Sequence, residues 1–322
     1  MRKACAVFFA GLLGLWIEAS LAQFQEWTGE PLAGVQIKTV AYKAWLPARK
    51  EPLRGTLVLI PGRLGDGRGM AADPKWQELG TGVGFAVLAC QFSDGDPSLY
   101  QFDAQGEVAK AISTAVSHLA QLSAHPELDK APLAFGGHSA GSNIAARYTN
   151  FAPARVAAMA GSKGSWGPGP ETPPGKDEIP MLFVLGGKDK PEFTSGSMAN
   201  IEPGLKRHAP WTVALQKNEG HESGPGMPLV RMFLKAAIEQ RFQAPRGTGT
   251  ALSIFKSAAP GFGGAKAAAP VKLQKIDPRQ GWLGNPETYE IAPAVTYKGS
   301  RAKAIWLPDE ATAKAWQDYL RS

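Results

Sequence analysis

The residues best suited to do chemistry are Gly137-His138-Ser139-Ala140-Gly141, a G-x-S-x-G run. An apolar stretch, Pro132 to Phe135, leads into it and a helical pattern leaves it. That arrangement is a nucleophile elbow, in which a serine sits on a sharp strand-to-helix turn with its Oγ exposed. The turn is so tight that side chains two residues before and after the serine would collide. Gly137 and Gly141 fill those two places, and Gly136 clears one more. The pattern also arises by chance, so its weight depends on partners elsewhere in the chain.

A serine hydroxyl needs a base to take its proton, and the base needs an anion to hold its tautomer. Of the five histidines, His138 adjoins Ser139, where its ring cannot swing round to the hydroxyl. His118 lies on a helical stretch, His125 precedes a proline in a polar turn, and His208 ends a helical stretch. His221, in Asn218-Glu-Gly-His-Glu222, sits just past a strand's carboxyl end, the rim where α/β active sites form. The acid should leave the preceding strand, in the serine–acid–histidine order of an elbow enzyme. Asp189 lies a few residues past Met181 to Gly186, with Glu192 as fallback; Asp177 and Glu178 precede that strand, at the wrong edge. Two backbone N–H groups should receive a developing oxyanion. Ala140 supplies one; Arg63, or else Leu64, supplies the other from the loop after Pro61-Gly62.

Those positions need a frame. Gly55 to Gly62, Phe85 to Phe92, Arg155 to Ala160, Met181 to Gly186 and Trp211 to Gln216 are short apolar runs of the kind buried on both faces of a parallel sheet. Val35 to Trp45 alternates and reads as an outer strand. Between the runs lie helical patterns. Asp73-Pro74 starts one that reaches about Gly80, with Trp76 and Leu79 facing the sheet. Glu107 to Ser123 carries Val108, Ile112, Ala115, Leu119 and Leu122 on one face, and Gly226 to Phe242 closes the domain. Alternating strands and helices imply an α/β fold with a mostly parallel central sheet and helices on both faces.

The bounds are consistent with that frame. Residues 1–22 read as a signal peptide: Arg2 and Lys3, an apolar run from Ala4 to Ile17, then Ser20-Leu21-Ala22, predicting cleavage before Gln23. The run has 14 residues, short of the roughly 20 that span a bilayer. A secreted or periplasmic chain with no stable membrane insertion follows. The formal charge of +7 forms no basic stripe of the nucleic-acid kind. Cys5 leaves with the leader, so the mature chain has only Cys90 and no internal disulfide or cysteine zinc site; Cys90 reads as an inert core residue. Residues 23–242 form the expected catalytic domain and 243–270 a Gly/Ala/Pro-rich linker or strap. Residues 271–322, with a helix after Trp306-Leu-Pro308, form an extension expected to pack on that domain rather than stand as a carbohydrate-binding module.

Ser139, Asp189 and His221, with Pro61-Gly62 and Gly137 to Gly141, resemble the α/β-hydrolase superfamily over about residues 35–242. Within it, the chain is most similar to secreted single-domain esterases of the polyhydroxybutyrate-depolymerase, feruloyl-esterase and polyester-hydrolase kind. The resemblance implies a monomeric serine ester hydrolase using an acyl-enzyme, needing no metal or organic cofactor, and acting on small or polymeric esters. It also places Trp166, in the loop after Arg155 to Ala160, where related esterases often present an aromatic to substrate; a packing role for it stays open. The chain departs from many such enzymes in lacking disulfides and in its last 70 residues. A peptidase or acyltransferase on the same triad, or a non-catalytic binding protein, are the other readings.

Overall fold

Strand β3 (Gly55–Ile60) is buried at every residue because its two faces enter two different cores. Val58 and Ile60 meet one apolar cluster, Leu57 and Leu59 the other, as the two-residue period of a strand requires. The computed structural model describes residues 23–94, 106–164, 174–242 and 271–322. The leader, the 243–270 linker and Trp166 lie outside the described residues.

An eight-stranded sheet surrounds β3. Strands β1 (Gln23–Thr28) and β2 (Ile37–Leu46) pair antiparallel, and β2 pairs antiparallel with β4 (Phe85–Asp94). From there the sheet is parallel: β4, β3, β5 (Leu133–His138), β6 (Val156–Ser162), β7 (Met181–Gly186) and β8 (Trp211–Gln216). The strand expected at Val35 to Trp45 is therefore not outermost. β1 lies outside it, with the Trp27 and Tyr42 rings stacked at 5.4 Å.

Helices cover both faces. On one lie α2 (Glu107–Leu122), α3 (Ala140–Phe151) and α4 (Ser195–Lys206), burying Ile112, Leu119, Tyr148 and Ile201. On the other lie α1 (Pro74–Val83) and α5 (Met227–Phe242), burying Trp76, Leu79 and Phe233. Two boundaries differ from the expected ones for local reasons. Helix α1 runs past Gly80, whose absent side chain lets it sit against Phe85 O and Val87, and stops at Gly84, held at φ +74°. The buried apolar residues of α2 end at Ala120; Leu122, on the last turn, is 45% exposed.

Residues 271–322 add a small antiparallel sheet, β10 (Ile291–Pro293), β9 (Trp282–Gly284) and β11 (Ile305–Leu307), and helix α6 (Glu310–Arg321). Asp309 caps α6 by accepting from Thr312 N–H at 2.8 Å. This unit lies over the outer edge of β8: Thr212 Oγ1 donates to Trp306 O, and Trp316 Nε1 donates to Val213 O at 2.7 Å. Trp306, Trp316, Tyr319 and Leu320 join the same core as α1 and α5. Among the described residues no helix is long and apolar enough to cross a membrane.

Candidate active site

Ser139 joins β5 to α3 with φ +52° and ψ −121°, a conformation that costs a non-glycine residue about 1–3 kcal/mol. The surroundings hold it there. Its N–H donates to Ser162 O at 2.8 Å, and its carbonyl accepts the Ser142 N–H at 2.9 Å. The Ser142 hydroxyl lies 2.9 Å from Gly137 O and 3.0 Å from Ser162 O, fastening the elbow to β6. A Cβ on Gly137 would come within 2.5 Å of Gly141 O, and one on Gly141 within 2.2 Å of Ile60 O. No side chain fits at either place.

His221 follows β8, and its Nε2 lies 2.8 Å from Ser139 Oγ. Its Nδ1 lies 2.7 Å from Oδ2 of Asp189, in the turn after β7. The other Asp189 oxygen accepts the Lys190 N–H at 2.8 Å. The two loops are zipped together by main-chain bonds, Gly187 N–H to Gln216 O and Lys188 N–H to Glu219 O, both 2.8 Å. Gly186 permits that approach, since a Cβ there would meet Gly220 O at 2.3 Å. The structure thus joins Ser139, His221 and Asp189 in one hydrogen-bonded chain. Glu192 is exposed in the following turn, Asp177 pairs with Arg207, and Glu178 pairs with Lys275.

The other histidines stand apart from the hydroxyl. His138 packs with its ring centroid 5.4 Å from that of His221, and its buried Nδ1 has no partner among the described residues. Burial, then the nearby His221 and Lys163, push its pKa down to about 4, so it stays neutral at ordinary pH. His118 lies against Trp27, His125 bonds Glu127, and His208 follows α4.

Ala140 opens α3, so its N–H is one of the free donors at a helix N-terminus. The loop after β3 passes close by: a Cβ on Gly62 would lie 3.5 Å from Ser139 Cβ. Arg63 and Leu64 follow in an exposed turn closed by Gly65 N–H to Gly62 O at 3.0 Å. Among the described residues, neither the Ala140 nor the Arg63 amide is used by a hydrogen bond within the fold. Gly67 N–H anchors the loop to Cys90 O at 3.1 Å, and Arg68 bridges Asp66 and Glu26.

Two neighbours of His221 escaped the sequence reading. The Phe193 ring packs 4.5 Å from the imidazole; nothing in Pro191-Glu-Phe193 marks it, because its place depends on how the turn after Asp189 folds back. Glu219 lies two residues before His221 and is buried; its position in a carboxylate-rich run beside the base was the available signal. Among the described residues no group of three or more His, Cys, Asp or Glu is placed to hold a metal ion.

Strand order, elbow and the antiparallel start define the α/β-hydrolase fold. Among solved structures the chain is similar to a ferulic acid esterase, with TM-score 0.51 and 11% identity over 68% of this chain and 98% of that one. It is also similar to a bacterial heroin esterase (TM-score 0.49, 14% identity, 67% and 84% covered). An S-formylglutathione hydrolase from Staphylococcus aureus gives TM-score 0.49 and 13% identity, with 70% and 100% covered. No family model matches the chain, and no curated protein matches it significantly.

Proposed function

We propose that the protein is a serine hydrolase of carboxylic esters that works through an acyl-enzyme. The observation that carries this reading is the chain Ser139 Oγ, His221 Nε2, His221 Nδ1, Asp189 Oδ2, with contacts of 2.8 and 2.7 Å at its two ends. His221 takes the Ser139 proton on Nε2 as Oγ adds to the ester carbonyl carbon. The carbonyl oxygen, now carrying the charge, accepts hydrogen bonds from the Ala140 and Arg63 amides. As the tetrahedral intermediate collapses, the C–O bond to the alcohol breaks and His221 returns its proton to the leaving oxygen. A water then adds to the acyl-enzyme, giving its proton to His221. Collapse releases the carboxylic acid and restores Ser139. Asp189 keeps Nδ1–H pointed away from the serine and stabilises the imidazolium in both halves.

The likeness to a ferulic acid esterase supports an aromatic (feruloyl) ester as substrate, and the resemblance to secreted esterases supports a substrate contact for Trp166, with a packing role as the alternative. The basic start, apolar run and Ser20-Leu21-Ala22 support export with cleavage before Gln23; the exported protein should begin at Gln23 on N-terminal sequencing. Turnover of p-nitrophenyl acetate tests the chemistry. Ser139→Ala should lower kcat on the order of 10⁵–10⁶-fold and abolish fluorophosphonate labelling, with the unfolding curve retained. An active Ser139→Ala enzyme would overturn the proposal.

A further inference from the structure

The loop carrying His221 is held from beneath by charges buried away from water. Lys163, directly after β6, has no exposed surface, and its ammonium lies 2.6 Å from Glu219 Oε2. The same oxygen accepts the Tyr319 hydroxyl of α6 at 2.6 Å. Glu219 and Tyr319 are each only 8% exposed. The Lys163 N–H donates to Val184 O of β7 at 2.8 Å, and Lys163 takes a left-handed backbone with φ +54°. Glu219 is bonded through its main chain as well: its carbonyl accepts from Lys188 N–H, the residue before Asp189, and its N–H donates to Gln216 O at 3.4 Å. One residue is therefore tied to the loops after β6 and β7, belongs to the loop after β8, and is bonded to the C-terminal helix.

A buried ion pair is weak evidence for stability, because removing two charges from water offsets most of their attraction, and apolar residues of similar volume often serve as well. What such a pair supplies is a defined geometry. A carboxylate with one oxygen fixed by both an ammonium and a phenol cannot rotate, and it sits two residues from the base. Burial, then the bond to and charge of Glu219, push the Tyr319 phenol far above its usual range, which keeps it a donor.

We propose that Glu219, clamped by Lys163 and Tyr319, is a positioning residue that sets the register of the His221 loop against the Asp189 loop, making the C-terminal extension part of the catalytic machinery. This rests on the serine-hydrolase reading for its catalytic half, and on geometry alone for its loop-holding half. None of the three side chains touches the reacting atoms; each acts through His221.

Tyr319→Phe keeps the ring and deletes the bond. Its kcat on p-nitrophenyl acetate should fall about tenfold, the size of one lost hydrogen bond to a charged group, with KM within about twofold because the serine pocket is untouched. In the same variant, amide exchange followed by mass spectrometry should speed up in residues 217–222 and at Lys188, while the amides of β3 keep wild-type rates. Lys163→Met/Glu219→Gln, which removes both buried charges together, should behave alike; if it does not fold, Tyr319→Phe decides. Wild-type kcat and wild-type loop exchange in the folded variants overturn the proposal, as does faster exchange spread equally over the whole sheet. If the unmodified protein neither hydrolyses esters nor labels with fluorophosphonate, the hydrolase reading fails. Loop exchange in Tyr319→Phe then decides the tie by itself, faster supporting it and unchanged overturning it.

Discussion

Asp189 meets His221 at 2.7 Å with its own side chain only 3% exposed, whereas the imidazole is 40% exposed. The carboxylate is shielded and the imidazole is open, the asymmetry the proposed proton shuttle needs: a shielded carboxylate interacts more strongly at low local dielectric, and an open ring is accessible to a substrate. Asp189→Asn should lower kcat about 10³–10⁴-fold by leaving the imidazole without an anion and in the wrong tautomer. Glu192→Gln, in an exposed turn, should match wild type in the same p-nitrophenyl acetate assay.

The oxyanion donors proposed here are main-chain groups, so side-chain and main-chain changes at one position should separate. Arg63→Ala is expected to stay within a few-fold of wild type. Arg63→Pro, which deletes the N–H, should cost about 10²–10³ in kcat while KM moves little. Equal losses in the two variants would remove Arg63 from the oxyanion site.

His138 should make stability fall in mild acid. Its folded pKa is about 4 against an ordinary 6.5, so between those values the unfolded chain binds the extra proton and stability rises with pH. The contribution is fully present above about pH 6.5 and is lost as pH falls toward 4, roughly 3 kcal/mol in all. Urea unfolding at several pH values should show this slope, and His138→Phe should flatten it.

Gly141→Ala should fail to accumulate as folded protein. Its methyl would sit 2.2 Å from Ile60 O and 2.5 Å from Pro61 O, both main-chain atoms that cannot give way, costing about 3 kcal/mol or more. Soluble yield and the thermal midpoint report it.

Trp316 is fully buried and anchors α6 to β8 through Val213 O. Trp316→Ala should destabilise by about 3–5 kcal/mol, read as a lowered urea midpoint.

What the sequence made legible follows from where sequence and geometry are tightly coupled. Gly137 and Gly141 announce the elbow because a Cβ at either would run into main-chain atoms, whereas one at Gly136 would meet only side chains, the nearest being Leu59 at 3.0 Å. His221 and Asp189 stand out because strand ends in a parallel sheet converge on one rim, so position along the chain translates directly into position in space. β1 was not legible: Gln23 to Thr28 shows an alternation of exposed and half-buried residues, and its apolar contact, Trp27 on Tyr42, is visible only once the register is known. The three-residue strands of the C-terminal unit are too short for any period to register. α4 contains Gly196, Pro203 and Gly204, which argue against a helix locally; Gly204 is there because Trp211 occupies the space a side chain would take. The bonds Lys163–Glu219 and Tyr319–Glu219 span 56 and 100 residues, and no local pattern encodes contacts of that reach.

The contact between β8 and the C-terminal unit also carries an entropic cost. Thr212 and Trp306 are 94 residues apart, and closing a loop of that length costs about 4 kcal/mol of chain entropy before any contact repays it. The parallel strands β7 and β8 are joined by a far shorter connection, so their pairing costs less chain entropy than is lost before the extension docks. Until it does, β8 has a bare edge open to pairing with another chain, and Glu219 lacks its phenol. A chain in which the extension has not docked therefore lacks the Tyr319 bond to Glu219 and leaves the β8 edge open to aggregation.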